Sequence, residues 1–368
     1  MVKLQKSELA AVLKTAGRII TNKRIAYADD NFLRTVLHKN SLWFSAVGDR
    51  NDLLLWAAEN KEDDIGEDVN VDYNRLISVL GVLEDDVEID VDESGIQVKD
   101  RSALVKLANL VGNAEETPMD ELVELRDAAK DKGVRVNRAE FLGALEYLHG
   151  LRDKDADLEV LQDIYFTKTK AYVMGTRFSV RLDFELPIEF NLDYDSSDVL
   201  IALLETSDSE EFVICIQEGG GTISFVVDES FYQVSGYTKY IKSVEAEFNA
   251  FKKEETVSLN RSEFARFVRL ATVFLDSDGD AVIKVSGGRG VITSDSDFND
   301  GSSDGEFNAE GVSDLEVAMN AKDLLLLFGG SSSLLGEELT IELDISGELG
   351  YIKHKNGDCL MAVRNLNE

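Results

Sequence analysis

The chain has 368 residues, of which 44% are hydrophobic, and this suits two or three packed domains better than a single core or a disordered chain. Its 38 basic and 71 acidic residues give a formal net charge of -33, which disfavours nucleic acid as a partner unless the cations are gathered on one face. Cys215 and Cys359 lack the spacing of a zinc site or a disulfide framework. The sequence has neither a signal-peptide core nor an apolar run long enough to span a membrane, so we expect a cytoplasmic protein.

A short pattern at Val2–Ala10 returns at Val134–Leu142 and again at Val257–Ala265. Each copy reads as an alternating strand that leads into a helix, and Asn137 and Asn260 are suited to cap the helices of the last two copies. A repeat of about one domain's length predicts three similar domains. We place them at 1–118, 119–255 (with a connector at 113–133) and 256–368.

Hydrophobic periodicity predicts the same order of elements in each repeat: strand, helix, sheet, strand, helix, sheet. The predicted helices are Lys6–Ile20, Tyr73–Val82, Arg138–Leu151, Ser196–Glu205, Arg261–Leu275 and Ala321–Phe328. We also predict one long strand over Ala171–Phe184 and a loop over Ser294–Asp314. The expected fold is therefore α+β, with two helices packed on antiparallel sheets in each domain.

Enzyme chemistry has little support in this sequence. Phosphate-binding, zinc-protease and nucleophile-elbow motifs are missing, and His38, His149 and His354 are isolated from one another. The glycine clusters fit hairpin tips and helix ends. The acidic segments Asp276–Asp280 and Asp295–Gly301 depart from the calcium-loop pattern at its glycine. We therefore predict no catalytic residue, no metal site, no cofactor and no enzymatic activity.

Basic residues collect on two of the repeated helices. Residues 1–24 hold six cations and one acid, and in the third copy Arg266 and Arg269 alternate with a core stripe. A solvated helix face is the plain alternative, but matching basic faces on repeated helices favour phosphate binding without base recognition. The second copy weakens the pattern, because Gly143 and Glu146 replace the third copy's arginines. The predicted phosphate contacts, which become DNA contacts if the partner is a nucleic acid, are Lys14, Arg18, Lys23, Arg24, Arg75, Arg138, Arg266 and Arg269.

The repeats, the order of elements and the length resemble the bacterial DNA polymerase III β sliding clamp family. Three local matches carry the resemblance. Ala171–Ser179 is similar to the family's T-D-G-H-R-L-A segment, with Thr176 for the histidine, and Cys359–Arg364 is similar to the terminal V-V-M-P-M-R-L, with Ala362 for the proline. Val291–Thr293, followed by an acidic loop, resembles the family's third-domain hairpin. The resemblance implies a DNA clamp fold of three domains that closes head to tail, as a homodimer, into a ring around double-stranded DNA. It also implies that polymerase and clamp loader bind through short linear motifs.

The same resemblance assigns two further sets of residues. The implied peptide pocket comprises Leu161, Val173, Gly175, Arg177, Phe178, Ile241, Cys359, Met361, Val363 and Arg364. The implied dimer interface comprises Leu104, Leu107, Val273 and Phe274. Domain core is the plain alternative for the apolar members.

We therefore expect a processivity factor that tethers the replicative polymerase. The alternative is an acidic, non-enzymatic regulatory protein that retains the clamp fold without encircling DNA.

Overall fold

A computed structural model describes residues 1–21, 32–38, 40–47, 51–59, 68–84, 86–110, 118–152, 161–217, 221–235, 241–251, 256–275, 279–295, 302–311, 314–329, 332–335, 340–346 and 348–366. Lys23 and Arg24 lie outside these residues. The chain divides into two compact units, one formed by Met1–Leu142 with Asp195–Tyr237 and the other by Gly143–Tyr194 with Thr238–Glu368.

The first unit contains two antiparallel sheets. In sheet order, the smaller has strands β1 (Val2–Gln5), β6 (Asp86–Asp92), β7 (Gly95–Lys99) and β8 (Leu104–Ala108). The larger has β5 (Asp68–Asp72), β2 (Phe32–His38), β3 (Ser41–Val47), β4 (Asn51–Glu59), β16 (Ser230–Ser235), β15 (Thr222–Val227), β14 (Glu211–Ile216) and β9 (Val134–Asn137). The helices are α1 (Lys6–Thr21), α2 (Tyr73–Val82), α3 (Met119–Lys132) and most of α5 (Tyr194–Thr206). Helix α4 (Arg138–Leu151) crosses the boundary between the units.

The second unit contains one long antiparallel sheet. Its strands, in sheet order, are β13 (Phe190–Leu192), β10 (Ile164–Phe166), β11 (Lys170–Met174), β12 (Phe178–Asp183), β24 (Gly357–Ala362), β23 (Leu349–His354), β22 (Thr340–Ser346), β17 (Thr256–Asn260), β20 (Ser302–Gly311), β19 (Arg289–Asp295), β18 (Asp280–Ser286), β21 (Leu315–Asn320) and β25 (Arg364–Asn365). Its further helices are α6 (Ile241–Ala250), α7 (Arg261–Thr272), α8 (Ala321–Phe328) and α9 (Ser332–Leu335).

Helix starts follow the predicted cap chemistry. The side chain of Asn260 accepts a hydrogen bond from the Glu263 amide at 3.0 Å, and Asn137 accepts one from Glu140 at 3.0 Å. The second helices of the first and third repeats are capped in the same way by Asp72 and Asn320. Each cap satisfies a backbone donor that the first helical turn leaves unpaired, and is worth about 1 kcal/mol.

Two connecting helices cover sheet faces. Met119, Leu122 and Val123 of α3 pack on a cluster that includes Val213, Val226 and Phe231. Helix α6 lays Phe248 on Tyr165, Tyr172 and Tyr351, and Phe251 follows it onto the same cluster. Neither helix α6 nor strand β16 was predicted from the sequence.

Three element predictions are wrong. The strand predicted over Ala171–Phe184 breaks into β11 and β12 because the chain turns at Gly175, whose amide bonds to the Phe178 carbonyl at 2.7 Å. The loop predicted over Ser294–Asp314 contains the ten-residue strand β20. Helix α7 ends at Thr272 rather than Leu275, so Val273 and Phe274 lie in a following turn.

Strand β20 was missed because its inward side chains are small. Ser303, Gly305 and Ala309 face inward with Phe307, while acidic and polar residues alternate with them. A Cβ at Gly305 would lie 2.2 Å from a ring carbon of Phe267, so the strand can approach α7 only with glycine there.

Candidate functional site

The predicted DNA contacts of the first repeat differ in how much of their charge is available. Lys14 on α1 is exposed, and no described residue pairs with its ammonium group. Arg18, one turn later, forms an ion pair with Asp198 of α5, so much of its charge is compensated. Arg75 on α2 is exposed and lies 3.6 Å from the Asp72 carboxylate.

The two predicted DNA contacts of the third repeat are accessible. Arg266 and Arg269 are both exposed on α7, and the Arg266 guanidinium lies 5.4 Å from the centroid of the Phe267 ring. Phe264, Val268 and Ala271 form the buried face of the same helix. Helix α7 therefore presents the amphipathic arrangement that the sequence predicts, with Arg266 and Arg269 toward solvent.

The second repeat presents acids instead. Arg138 turns back onto the protein, where its guanidinium donates to the carbonyl oxygens of Ser209 at 2.6 Å and Leu204 at 2.8 Å. Glu140 and Glu146 on α4 are exposed, and Glu146 lines a cavity of about 590 Å³ beside Leu326.

The charges of the helix pairs differ accordingly. Helices α1 and α2 carry four cations and one acid, and α7 and α8 carry four cations and two acids, for +3 and +2. Helices α4 and α5 carry one cation and five acids, for -4.

Strand pairing divides the implied peptide pocket between two sheet faces. Val173, Val180 and Cys359 are cross-strand partners on one face, together with the pair Phe178 and Met361, and all of these side chains are buried. Burial raises the pKa of the Cys359 thiol well above its ordinary value, so the thiol remains neutral.

The remaining residues of the implied pocket are spread out. Leu161 is half-buried, Val363 is buried and Ile241 begins α6. Arg364 lies 3.5 Å from Asp280.

A cavity of about 580 Å³ opens beside the Gly175 turn. Gly175, Arg177 and Phe178 line it together with residues that the sequence did not predict: Met174, Thr176, Ser179, Ala250, Phe251, Leu349, Leu360 and Ala362. Met174 and Leu360 belong to the sheet face opposite Cys359. Leu360 and Ala362 alternate with Cys359 and Met361 along the predicted last strand, so their side chains lie on the opposite face of the sheet. This alternation would have pointed to Leu360 and Ala362 if the order of the strands had been known.

One cation marks the rim of this cavity. The Arg177 side chain is 45% exposed, and its Nε lies 2.7 Å from a carboxylate oxygen of Asp323, which is 7% exposed. This ion pair fixes Arg177 at the mouth of a groove whose other lining residues are mostly apolar.

Helix α6 is fixed beside the cavity by polar contacts. The Tyr172 hydroxyl bonds to Glu245 of α6 at 2.9 Å, and the Arg181 guanidinium lies 4.6 Å from the centroid of the Phe248 ring. Arg181 also pairs with Asp358, which accepts a bond from the Tyr351 hydroxyl at 2.8 Å. The seam between β12 and β24 therefore has a satisfied, largely buried ion pair at its centre.

The predicted dimer residues lie at or near exposed positions. Leu104 is 55% exposed and Leu107 half-buried on β8, while Val273 is 73% exposed and Phe274 half-buried after α7. Within the described residues, β8 pairs only with β7 and has an open edge. Strand β20 is likewise open along its first half, where β19 is its sole described partner.

Repeats join through the same kind of strand pair in both units. In the first unit, β4 of the first repeat pairs with β16, the last strand of the second repeat. In the second unit, β12 of the second repeat pairs with β24 of the third. In the repeat order, β20 is equivalent to β4 and β12, and β8 is equivalent to β16 and β24. The two open edges therefore belong to strands that are equivalent in the repeat order to the strands that join the repeats within each unit.

Two further features, a metal-binding cluster and a membrane-spanning helix, were searched for among the described residues. Among the described residues no group of three or more His, Cys, Asp or Glu side chains could hold a metal ion. No helix in the described ranges is long and apolar enough to cross a membrane.

At the level of sequence, no protein-family profile and no curated protein matches this chain. At the level of structure, the chain is similar over its whole length to several solved proteins. DNA polymerase III β subunit from Thermotoga maritima matches with a TM-score of 0.80 at 11% identity, over 99% of both chains. A DnaN sliding clamp from Bartonella birtlesii bound to griselimycin matches with a TM-score of 0.79 at 14% identity, also over 99% of both chains. A DNA polymerase sliding clamp from Pseudomonas aeruginosa matches with a TM-score of 0.78 at 13% identity, again over 99% of each. The α+β clamp fold implied by the sequence resemblance is thus confirmed, and this chain has the fold of the DNA polymerase III β sliding clamps.

Proposed function

We propose that this protein is a sliding clamp, a head-to-tail homodimeric ring that encircles duplex DNA and tethers a polymerase to its template. The observation that carries the proposal is the pair of open strand edges on β8 and β20, which correspond to the two members of the strand pairs that join the repeats. Repeats already join at β4–β16 and β12–β24, so repetition of that pairing between two copies joins the third repeat of each copy to the first repeat of the other.

The chemistry of the two edges supports this pairing. The exposed row of β8 carries Leu104 and Lys106, and the exposed row of β20 carries Asp304 and Glu306. Antiparallel pairing places Lys106 near Asp304 and Glu306 of the other copy. It also pairs the free backbone N–H and C=O groups of both edge strands, which would otherwise allow non-specific association.

A ring explains the segregation of charge. The net charge of -33 repels DNA from the outer surface, while Lys14, Arg266 and Arg269 offer phosphate contacts without base recognition. Encirclement makes the attachment topological, so these contacts stay weak enough for the duplex to slide. Such a role requires no catalytic residue and belongs in the cytoplasm.

We further propose that the cavity beside Gly175 takes part in binding polymerase or clamp loader through a short apolar segment. Its lining by Met174, Phe251 and Leu360 suits aliphatic and aromatic side chains. The exposed flank of Arg177 can receive an acidic group or a terminal carboxylate of the same segment.

Cysteine cross-linking tests the ring. Lys106→Cys and Asp304→Cys are introduced together in a Cys215→Ser background, which leaves only the buried Cys359, and a short bismaleimide is added. Head-to-tail closure predicts a doubly cross-linked dimer, whereas neither single variant cross-links efficiently. A species that stays monomeric, or an open ladder of oligomers, overturns the proposal.

A second candidate has one observation in its favour. The acidic surface of α4 and α5 also suits a regulatory protein that keeps the clamp fold but does not encircle DNA. This protein would dimerise or bind partners normally, yet show no retention on closed circular DNA.

A further inference from the structure

The three repeats present different charges at one equivalent helical position. Counting from the repeated strand, Lys14, Glu146 and Arg269 occupy the same place on α1, α4 and α7, and all three are exposed. Ala11, Gly143 and Arg266 form a second equivalent set. A wall built from these helices is therefore basic in the first and third repeats and acidic in the second.

Strand pairing between copies determines which repeats become neighbours. Joining β20 of one copy to β8 of the next sets the third repeat beside the first repeat of the partner copy, so two basic repeats adjoin at each junction. The acidic second repeats then lie between the junctions.

An ion pair reinforces this division. Arg18 of α1 is bound by Asp198 of α5, which belongs to the second repeat. An acid of the second repeat thus compensates a cation that duplex phosphates would otherwise attract. The first repeat is left with Lys14 as the exposed cation of α1 that has no acidic partner among the described residues.

We propose that the duplex is held at the subunit junctions, by α1 of one copy and α7 of the next, and is repelled by the second repeat, with Asp198 limiting how tightly Arg18 can hold a phosphate. This inference rests on the proposed ring. It describes a clamp with two separate phosphate-binding sectors rather than a uniformly basic channel. The duplex contacts one phosphate-binding sector at a time, so few protein–phosphate contacts must break as the clamp slides along it.

Site-directed photo-cross-linking locates the duplex. In the Cys215→Ser background, single variants Lys14→Cys, Glu146→Cys and Arg269→Cys carry a benzophenone maleimide at the three equivalent positions. The rings are mixed with nicked circular DNA and irradiated. The inference predicts DNA adducts from positions 14 and 269 and at least tenfold fewer from position 146. Equal yields from all three positions, or adducts chiefly from position 146, overturn it.

Salt dependence tests the role of Asp198. Each phosphate contact contributes about 0.9 to the slope of log affinity against log salt, or roughly eightfold in affinity at 0.1 M salt. Asp198→Asn is expected to strengthen duplex binding by about that factor and steepen the slope by about 0.9, because Arg18 becomes available. The matched control Asp183→Asn removes an exposed acid that pairs with Lys170 on a sheet rather than on these helices and is expected to leave the slope unchanged. A slope unchanged by Asp198→Asn, or changed equally by the control, refutes this role.

The two failures can be told apart. Without a ring, the Lys106→Cys and Asp304→Cys pair gives no closed dimer whatever the DNA result. With a ring but a different DNA path, the closed dimer forms and only the adduct pattern and the slope depart from expectation.

Discussion

Reversal of one charge at the open edge of β8 is expected to weaken the ring. Lys106 is exposed on that edge, and pairing with β20 brings it near Asp304 and Glu306 of the other copy. A cross-strand ion pair is worth about 0.2–1 kcal/mol, and a like-charge pair costs a similar amount. Lys106→Glu therefore costs about 0.4–2 kcal/mol at each junction and about 0.8–4 kcal/mol for a ring with two junctions. This corresponds to roughly 4- to 700-fold in the dimer Kd.

Sedimentation equilibrium at low ionic strength measures this change, because salt screens exposed charges. Lys353→Glu is the matched control, since Lys353 is exposed on β23 away from both open edges. Combining Lys106→Glu with Asp304→Lys and Glu306→Lys restores the attraction and is expected to recover most of the affinity. An unchanged dimer Kd in Lys106→Glu, or the same loss in the control, refutes the assignment of these edges to the subunit contact.

Three further predictions concern the second unit. Asp358→Ala leaves the largely buried Arg181 without its carboxylate and is expected to lower the unfolding free energy, measured by calorimetry, by about 3–5 kcal/mol. The control Asp183→Ala breaks the more exposed pair with Lys170 and should cost no more than about 1 kcal/mol. Equal losses in the two variants would contradict the role of burial. Gly305→Ala drives a Cβ into Phe267 and should lower the unfolding free energy, measured by denaturant titration, by about 1–3 kcal/mol. In the control Gly143→Ala the added Cβ meets no atom within 4 Å, so the variant should be neutral or more stable by up to about 1 kcal/mol. The reverse order of stabilities would refute the close approach of β20 to α7. Burial lowers the pKa of His354 to about 4, and neither ring nitrogen has a hydrogen-bond partner within the described structure, so the unfolded chain binds the proton more readily. The unfolding free energy should therefore fall as the pH drops from about 6.5 to about 4. His354→Asn should flatten that part of the pH profile, and an identical profile in the variant would contradict this reasoning.

Local chemistry made the helices predictable. The helices Tyr73–Val82, Arg138–Leu151 and Ala321–Phe328 have the predicted bounds because apolar periodicity and a polar cap residue act within a few positions of one another. Strand β20 escaped prediction for the opposite reason, since its inward positions hold Ser303 and Gly305 and give no hydrophobic alternation.

Long-range geometry limits what could be inferred about the site. The exposure of Arg266 and Arg269 follows from helical spacing alone. The compensation of Arg18 depends on Asp198, 180 positions away, and the lining of the cavity by Leu360 depends on the pairing of β12 with β24. Neither contact leaves a signal in one sequence, because each is created by the order of strands and repeats in space.

Covalent closure of the ring around circular DNA measures encirclement directly. The Lys106→Cys and Asp304→Cys variant in the Cys215→Ser background is incubated with nicked circular DNA, cross-linked, and then denatured in detergent. If the ring encircles the duplex, protein stays linked to the circle after denaturation and is released when a restriction enzyme cuts the DNA. Closed dimers that never remain on the circle, or protein equally retained on linear DNA of the same sequence, would contradict it.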